Sequence, residues 1–557
     1  MSAHDSANPP ASRGRPPRAE LRIPATRLRE DDTRARRSSH VWSMPRSTPA
    51  WGAIVATVVY IALTCWWLTQ DRSIPVYDAG DHLTLVLLYH SMLAGGNLLG
   101  PLTSEGIYPT VGHVVGALAM FVGGVNVASP IIAENVVFVP LLALGCYQTG
   151  RLLFGPLAGM LAVVFALGSP LLMSMFHVEM LDGPLTAAAA VSVWLILASE
   201  DFGRPGVAGL AGLTVGLGLN VKSQFPLFVI GLIVIVLAHG GWRNKRGFLI
   251  FCVVAFVVGA PWYLVHITEL GRLSDLGGVA SYTPTGTQSA TLSAESLAFY
   301  FWSVLDSQLL APLFVLAAVG TVWTLLAVVR GHDKQGARLE FLVGGCAAFI
   351  AITLVPHHDI RYGLPLLAFS SVIGTGWIVS LPRTASLALA TLLIVVVVAD
   401  TLGVTFGVGD DVSVTLPVKL AGSNQVAVYS TSGFLVGAPS RDGDVPALLE
   451  ALRRGGVRTV TWSVRQSEAP DFSLEGLAPL SVIARLNWVS TAKVEFSRSA
   501  RVATLIHEPV TAGSPPACRR LSDGTGVWIV RYDALAAKLA LYCPSRHPQF
   551  YDASGIG

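Results

Sequence analysis

Residues 48–82 read TPAWGAIVATVVYIALTCWWLTQDRSIPVYDAGDH, and the reading of this stretch decides the fold. The run from Trp51 to Thr69 is unbroken by charge and close to the ~20 residues that carry a helix across a bilayer. It ends in a polar segment with three acids, Asp71, Asp78 and Asp81, and then His82. Upstream, residues 1–50 hold ten Arg, no Lys and five acids, in a Pro- and Ser-rich composition without apolar period. Such a segment cannot bury enough surface to offset its ordering entropy, so residues 1–48 read as a disordered basic tail. It is too long, and its apolar run too far in, for a cleaved signal peptide, so the run is an uncleaved anchor.

The same character extends outward through the chain. Of 557 residues 52% are hydrophobic and only 13% charged, against roughly a quarter in soluble domains. Mean hydropathy is +0.57. An ordinary soluble enzyme and a disordered protein are both excluded. Further apolar runs near 131–149, 155–175, 184–199, 207–221, 225–239, 247–267, 309–329, 340–355, 363–380 and 385–407 make eleven expected spans with the first. Arg151, Arg204, Arg243, Lys245, Arg246, Arg330, Lys334, Arg338 and Arg383 then share a side with the tail, while the other side has Arg72, Lys222, Arg272 and Arg361. Nineteen basic residues against four orient the N-terminus to the cytoplasm of an inner (plasma) membrane. Counting 111–125 as a span would invert every later loop, so it reads as a helix lying in the interface.

The polar exceptions gather at the outer ends of the spans. They are Asp78, Asp81 and His82; His177, Glu179 and Asp182 in HVEMLDGPL; Asn220, Lys222 and Gln224; Glu269 to Asp306 behind Pro261, Trp262 and Tyr263; and His357, His358, Asp359, Arg361 and Tyr362 in PHHDIRYGLP. Acids beside cations at one membrane surface suit group transfer from a lipid-linked phosphate. A carboxylate takes a proton from an acceptor hydroxyl, and cations hold the departing phosphate. A transporter or flippase of lipid-linked glycans is the alternative, but it would place charges or broken helices at mid-bilayer. There, ionisable groups are scarce, with Glu134 and Asp400 the nearest cases, both toward span ends. A scaffold with a partner-binding outer domain is a third class. No Walker loop, GxSxG or HExxH lies on a suitable element, and no folded nucleic-acid module accompanies the Arg run, so no nucleic-acid partner is expected.

Five pieces, in order and on one side, resemble the membrane-embedded C-type (GT-C) glycosyltransferases of the protein O-mannosyltransferase and lipid A aminoarabinose transferase superfamily. They are YDAGDH at 77–82, YPTVGHVVG at 108–116, GRLLFG at 150–155 with LGSPLL at 167–172, HVEMLDGPLTAA at 177–188, and IRYGLPLLAF at 360–369. LNVKSQFP and the APWYL at 260–264 also fit, and the likeness covers about residues 50–380. It implies an α-helical polytopic fold with interfacial helices in the first outer loop. It implies an inverting transfer of sugar from a polyprenyl-phosphate donor to a glycolipid, glycan or protein acceptor in the envelope. Carried over by motif, Asp78 or Asp81 is the general base, and Asp182 orients the acceptor or supports the loop. Lys222, Arg361, Tyr362 and His358 hold the donor phosphate, and His82, His177 and Glu179 serve the acceptor or support the site. Two departures stand out: Asp78 is followed by Ala79 where the family often has Glu, and a single Pro109 stands where it has a pair. From the residues alone, Asp78 also reads as the N-cap of a helix starting near Asp81, Asp182 as an N-cap before Gly183-Pro184, and Lys222 and Arg361 as interfacial cations. A divalent metal at the adjacent histidines stays open.

Residues 49–410 therefore form the expected membrane domain, and 417–557, with ordinary charge density, an extracytoplasmic α/β domain. VAVYS (426–430), PALLEALRRGGV (446–457) and RTVTWSV (458–464) read as β–α–β, with later strands at VATLIHE and VWIVRYD. No Gly-rich loop opens that helix, so a dinucleotide is not expected. Cys65, Cys146, Cys252 and Cys346 read as small buried apolar residues. Cys518 and Cys543 form a disulfide in this reading, which an outer location permits.

Overall fold

The computed structural model describes residues 48–75, 78–104, 108–268, 287–288, 293–331, 336–355, 357–408, 412–418, 425–430, 437–439, 445–454, 459–463, 474–490, 502–509, 526–533, 538–542 and 551–552. The basic tail and the expected Cys518–Cys543 disulfide lie outside them.

Among these residues six helices are long and apolar enough to cross a membrane: Thr48–Gln70, Ala128–Phe154, Lys245–Val265, Leu297–Val329, Ile360–Ser380 and Arg383–Phe406. Pro156–Leu167 and Pro170–Phe176 make a seventh if taken as one span bent by 66°. Three runs expected as spans, Asp182–Ala198, Pro205–Leu219 and Pro226–Ala238, are apolar but shorter, as is the interfacial candidate Val111–Gly123. The length of these helices thus supports fewer crossings than the eleven expected from apolar runs.

Helix starts follow from local chemistry. Pro156, Pro170, Pro205 and Pro226 each stand in a first turn, where the missing N–H costs nothing. Gly155, at φ 104°, separates Ala128–Phe154 from Pro156–Leu167 in a backbone conformation that a side chain would strain. The 66° bend comes where Ser169 takes the cap and its hydroxyl accepts from Leu172 N. With no water-driven burial between apolar helices in lipid, close approach of backbones holds the bundle. A Cβ on Gly145 would stand 2.5 Å from the Ala190 carbonyl carbon, so Ala128–Phe154 and Asp182–Ala198 touch backbone to backbone there.

Beyond Phe406 the chain turns to strands. Ser413–Leu416 pairs antiparallel with Val426–Ser430. A separate six-stranded mixed sheet runs Tyr551–Asp552, Lys538–Tyr542, Gly526–Asp533, Val502–Pro509, Thr459–Ser463, Asn487–Ser490. Three of its pairings are parallel. The strand at 426–430, the helix Val445–Arg454 and the strand Thr459–Ser463 are all present, but they do not form the expected β–α–β unit. The first strand is taken by its neighbour at 413–416, and Thr459–Ser463 pairs instead with 487–490 and 502–506.

This sheet segment is fastened to the helices close to the first acidic motif. The Trp67 indole donates to the Gly437 carbonyl at 3.1 Å, Asp306 accepts from the Ala427 N–H, and Gly476 of helix Leu474–Ile483 packs on the Pro75 carbonyl. Of the four described cysteines, Cys146 is buried, Cys65 and Cys252 are partly covered, and Cys346 is exposed. The expectation of burial fails for Cys346, which is exposed on helix Ala337–Thr353.

Candidate functional site

The site is assembled by the loops that precede helices Asp78–Ala94 and Asp182–Ala198, the turn after Pro205–Leu219, and the 3-10 segment Ile360–Leu366. Asp78 and Asp81 both lie in the first turn of their helix, where the N–H groups and the dipole favour negative charge. The helix therefore starts at Asp78 itself, three residues before the start expected for an N-cap role. The side chain of Asp78 is turned to another partner: Arg361 Nη2 stands 2.9 Å from its Oδ2. Asp81 is exposed. Asp182 likewise opens its helix behind Leu181, which holds the cap position, so its side chain is no N-cap.

Arg361 is a shared cation. Its Nη2 also meets Asp359 Oδ2 at 2.7 Å, and its Nε donates to Asp359 Oδ1 at 3.1 Å. Asp359 Oδ1 in turn caps the 3-10 segment by accepting from the Arg361 N–H at 3.0 Å. Burial pushes the Asp359 carboxyl up, but the Arg361 charge and hydrogen bonds outweigh this and hold it below the usual carboxylate range. Asp359, quoted in the motif without an assigned role, is thus the residue that fixes Arg361. Its signal was local: an acid two residues ahead of an Arg at a helical start.

The second pair is deeper. Lys222 Nζ lies 2.7 Å from Asp182 Oδ1, with side-chain exposures of 9% and 0%. Asp182 Oδ2 has no hydrogen-bond partner among the described residues. The ammonium also lies over the ring of Tyr362, the residue after Arg361, 5.0 Å from its centroid. Neither Lys222 nor Arg361 snorkels away from the protein; both are drawn inward by carboxylates.

Around these pairs stands a wall of rings. His82 Nδ1 and His113 Nε2 are 3.0 Å apart, and the Tyr108 ring meets His82 edge-on at 4.6 Å. Burial first, then His113, Lys222 and Arg361, pull the His82 imidazole well below its ordinary value. Burial lowers His113 to about 4. Burial, then the Asp78 charge, push the Tyr108 phenol up, with Arg361 opposing. Neutral imidazoles thus sit beside the ion pairs without adding to their charge. Val111–Gly123, which brings in His113, is tied to the Lys222 turn by the Val111 N–H donating to the Asn220 carbonyl at 2.9 Å.

The remaining candidates fall elsewhere. His177 stacks on Trp67 at 4.2 Å, and burial lowers its imidazole to about 3. Glu179 is 3% exposed with both carboxylate oxygens unpartnered among the described residues, and burial raises it to about 8. His358 packs against Phe299 and Tyr300, at 5.0 and 5.6 Å, and in a two-residue strand with His357 pairs with Thr287–Gln288. Tyr263 donates to the Leu219 carbonyl at 2.8 Å and so ties its helix to the end of Pro205–Leu219, and Trp262 is buried against His266 at the end of its own helix. Among the described residues no group of three His, Cys, Asp or Glu is placed to hold a metal ion.

Residues 109–264 match the family described as dolichyl-phosphate-mannose-protein mannosyltransferase. The match falls inside the stretch that carries the resemblance to C-type membrane glycosyltransferases, and agrees with it. It includes Asp182 and Lys222, while Asp78 and Arg361 lie beyond its two ends. No curated protein matches the chain. Among solved structures, it is similar to ArnT from Cupriavidus metallidurans in the apo state, at 17% identity and TM-score 0.47, over 64% of this chain and 65% of that one. It is also similar to ArnT from Cupriavidus metallidurans bound to undecaprenyl phosphate, at 16% identity and TM-score 0.47, over 64% and 71% of the two chains. The chain therefore spans slightly less than two thirds of the first of these.

Proposed function

We propose that this protein is an inverting glycosyltransferase that moves a sugar from a polyprenyl-phosphate donor to a hydroxyl of an envelope glycolipid, glycan or protein. The observation that carries this reading is the pairing of Arg361 with Asp78, beside the Lys222–Asp182 pair. It puts a candidate base, 33% exposed at its side chain, within 3 Å of one of two inward-held cations. The acceptor oxygen attacks the anomeric carbon as Asp78 takes its proton. The bond from that carbon to the phosphate oxygen breaks, and polyprenyl phosphate leaves with the electron pair. Arg361 and Lys222 face the negative charge that grows on the phosphate. A positioned base contributes roughly 10²–10⁴-fold and preorganised donors a similar factor, so the two effects together reach the range of an enzyme.

Arg361 is engaged by two carboxylates in the ligand-free site. A donor phosphate would compete with Asp78 for it, leaving Asp359 to keep the guanidinium in place. Asp78 is then released to the acceptor after the donor is bound. The N-terminus in the cytoplasm, catalysis on the outer face of the inner membrane and an extracytoplasmic 417–557 domain follow from the basic-residue bias, and belong to this proposal. The test is transfer from polyprenyl-phosphate-linked sugars by the purified protein, compared with Asp78→Asn and Asp81→Asn. A loss of at least 10²-fold in the first and a small loss in the second are expected. Full activity of Asp78→Asn would remove the base assigned here.

A further inference from the structure

A cavity of about 450 Å³ opens among residues that adjoin Asp78 and Asp182 in the chain. One wall comes from helix Asp78–Ala94, through Ala79 next to the candidate base and Leu83. Another comes from Glu179, three residues ahead of Asp182. The loop after Thr48–Gln70 contributes Arg72, and helix Leu474–Ile483 closes the far side through Leu480, with Ala484 just past its end. We propose that this cavity receives a sugar residue of the acceptor. The inference rests on the glycosyltransferase reading above.

Three observations support it. The first is size: small-molecule clefts run from about 300 to 1,000 Å³, and this one has room for a mono- or disaccharide. The second is Glu179. A buried polar group without a partner costs on the order of 1–3 kcal/mol, and such groups in native structures call for an explanation. Both oxygens of this carboxyl lack a hydrogen-bond partner among the described residues, in a residue that lines a cavity with the buried Glu134 carboxyl near it. A hydroxylated ligand supplies donors and acceptors together, and a carboxyl kept neutral by burial offers both in return. The third is the mixture of walls. A sugar ring has one apolar face and a rim of hydroxyls. Leu83 and Leu480 suit the face, and Arg72 and Glu179 suit the rim. A hydrocarbon chain would leave Glu179 unanswered, while Asp71 and Glu450 join Arg72 in the polar part of the lining.

The location makes the pocket relevant to transfer. It shares its helix with Asp78 and its loop with Asp182, so a sugar seated there is held on the segments that carry the reacting groups. Proximity of this kind is where positioning contributes most to rate.

The experiment uses the full chain in phospholipid nanodiscs, free of glycoside detergent, with maltose, cellobiose and chitobiose as probes. Saturation-transfer NMR reads binding to the parent, to Ala484→Trp, which fills the cavity, and to Glu179→Leu and Glu179→Gln. The expected result is saturation transfer to at least one disaccharide, reduced at least fivefold by Ala484→Trp and Glu179→Leu and by less than twofold in Glu179→Gln. The Glu179 pair keeps the test alive if Ala484→Trp does not fold. No signal with any of the three in the parent overturns the proposal, as does an undiminished signal in both Ala484→Trp and Glu179→Leu. Cleavage of polyprenyl-phosphate mannose by the parent is followed in the same nanodiscs. Sugar binding without cleavage keeps the sugar site and sinks the enzymatic reading; cleavage without sugar binding does the reverse.

Discussion

Removing the partners of the Lys222–Asp182 pair singly and together separates what the pair does for the fold from what it does for the site. The two charges are 2.7 Å apart with side-chain exposures of 9% and 0%. Breaking a buried pair by deleting one partner leaves the other charge uncompensated and costs about 3–5 kcal/mol. Replacing both by apolar groups of similar volume removes both desolvation penalties and is often neutral. Asp182→Leu and Lys222→Met are therefore each expected to lower resistance to unfolding markedly, and the double variant to regain most of it. With each single costing about 3–5 kcal/mol and the double close to neutral, the coupling read from the cycle should exceed the roughly 0.5–3 kcal/mol usual for residues in contact. Denaturant titration of the reconstituted protein gives the stability order. Activity must follow a different order: the double variant, stable again, lacks the Lys222 cation and should lose at least 10²-fold in kcat/KM for the donor. A double variant with parental activity would refute the donor-site role of Lys222. Singles as stable as the parent would refute the buried-pair energetics.

Arg361→Lys keeps the charge but cannot reach Asp78 and Asp359 together from a planar fork. With hydrogen bonds to charged groups each contributing about 1.5–3 kcal/mol, kcat/KM for the lipid-linked sugar should fall about 10- to 100-fold in initial-rate assays. Asp359→Asn leaves Arg361 with Asp78 alone, so donor KM should rise and the acidic limb of the pH profile should shift, while Asp359→Glu recovers part of the loss. Glu179 has its folded pKa raised from 4.5 to about 8. The folded state then binds more protons than the unfolded one between these values, so stability is greatest at low pH and falls as pH rises through that window. Because the buried Glu134 carboxyl interacts with Glu179, Glu179→Gln should reduce, without abolishing, the slope in unfolding titrations from pH 4.5 to 8. Gly476→Ala adds a methyl where helix Leu474–Ile483 meets the Pro75 carbonyl, and overpacking costs about 1–3 kcal/mol. The change should lower kcat by displacing the 71–78 loop, measured beside donor KM, which should change less.

The reach of the sequence differs between fold and site for a physical reason. Apolar runs and the sidedness of Arg and Lys are one-dimensional quantities, so a polytopic helical fold could be read directly. Span counting is less direct. The run 184–199 is as apolar as its neighbours, yet its helix Asp182–Ala198 has 17 residues, and its buried faces answer to other helices. An all-round apolar helix inside a bundle and one spanning lipid carry the same composition. Beyond residue 417, period and turn signals placed strands at 426–430 and 459–463. Which strands pair depends on backbone partners far apart in sequence, and there the β–α–β expectation failed.

In the site, residue types were legible and their partners were not. Asp182 and Lys222 lie 40 positions apart and Asp78 and Arg361 far more, so nothing local couples them. Local reading offers each acid the nearest free N–H groups, hence the N-cap alternatives for Asp78 and Asp182. A cation within 3 Å in an apolar surround outbids those amides, because charge–charge attraction strengthens as water is excluded while a cap bond stays worth about 1 kcal/mol. That competition also orders the acids of the first motif. Asp78 is the one whose side chain is held by Arg361, whereas Asp81 points to the exposed side of the same turn. The preference for Asp78 in the proposed function, open from the residues alone, rests on a cation 283 positions downstream.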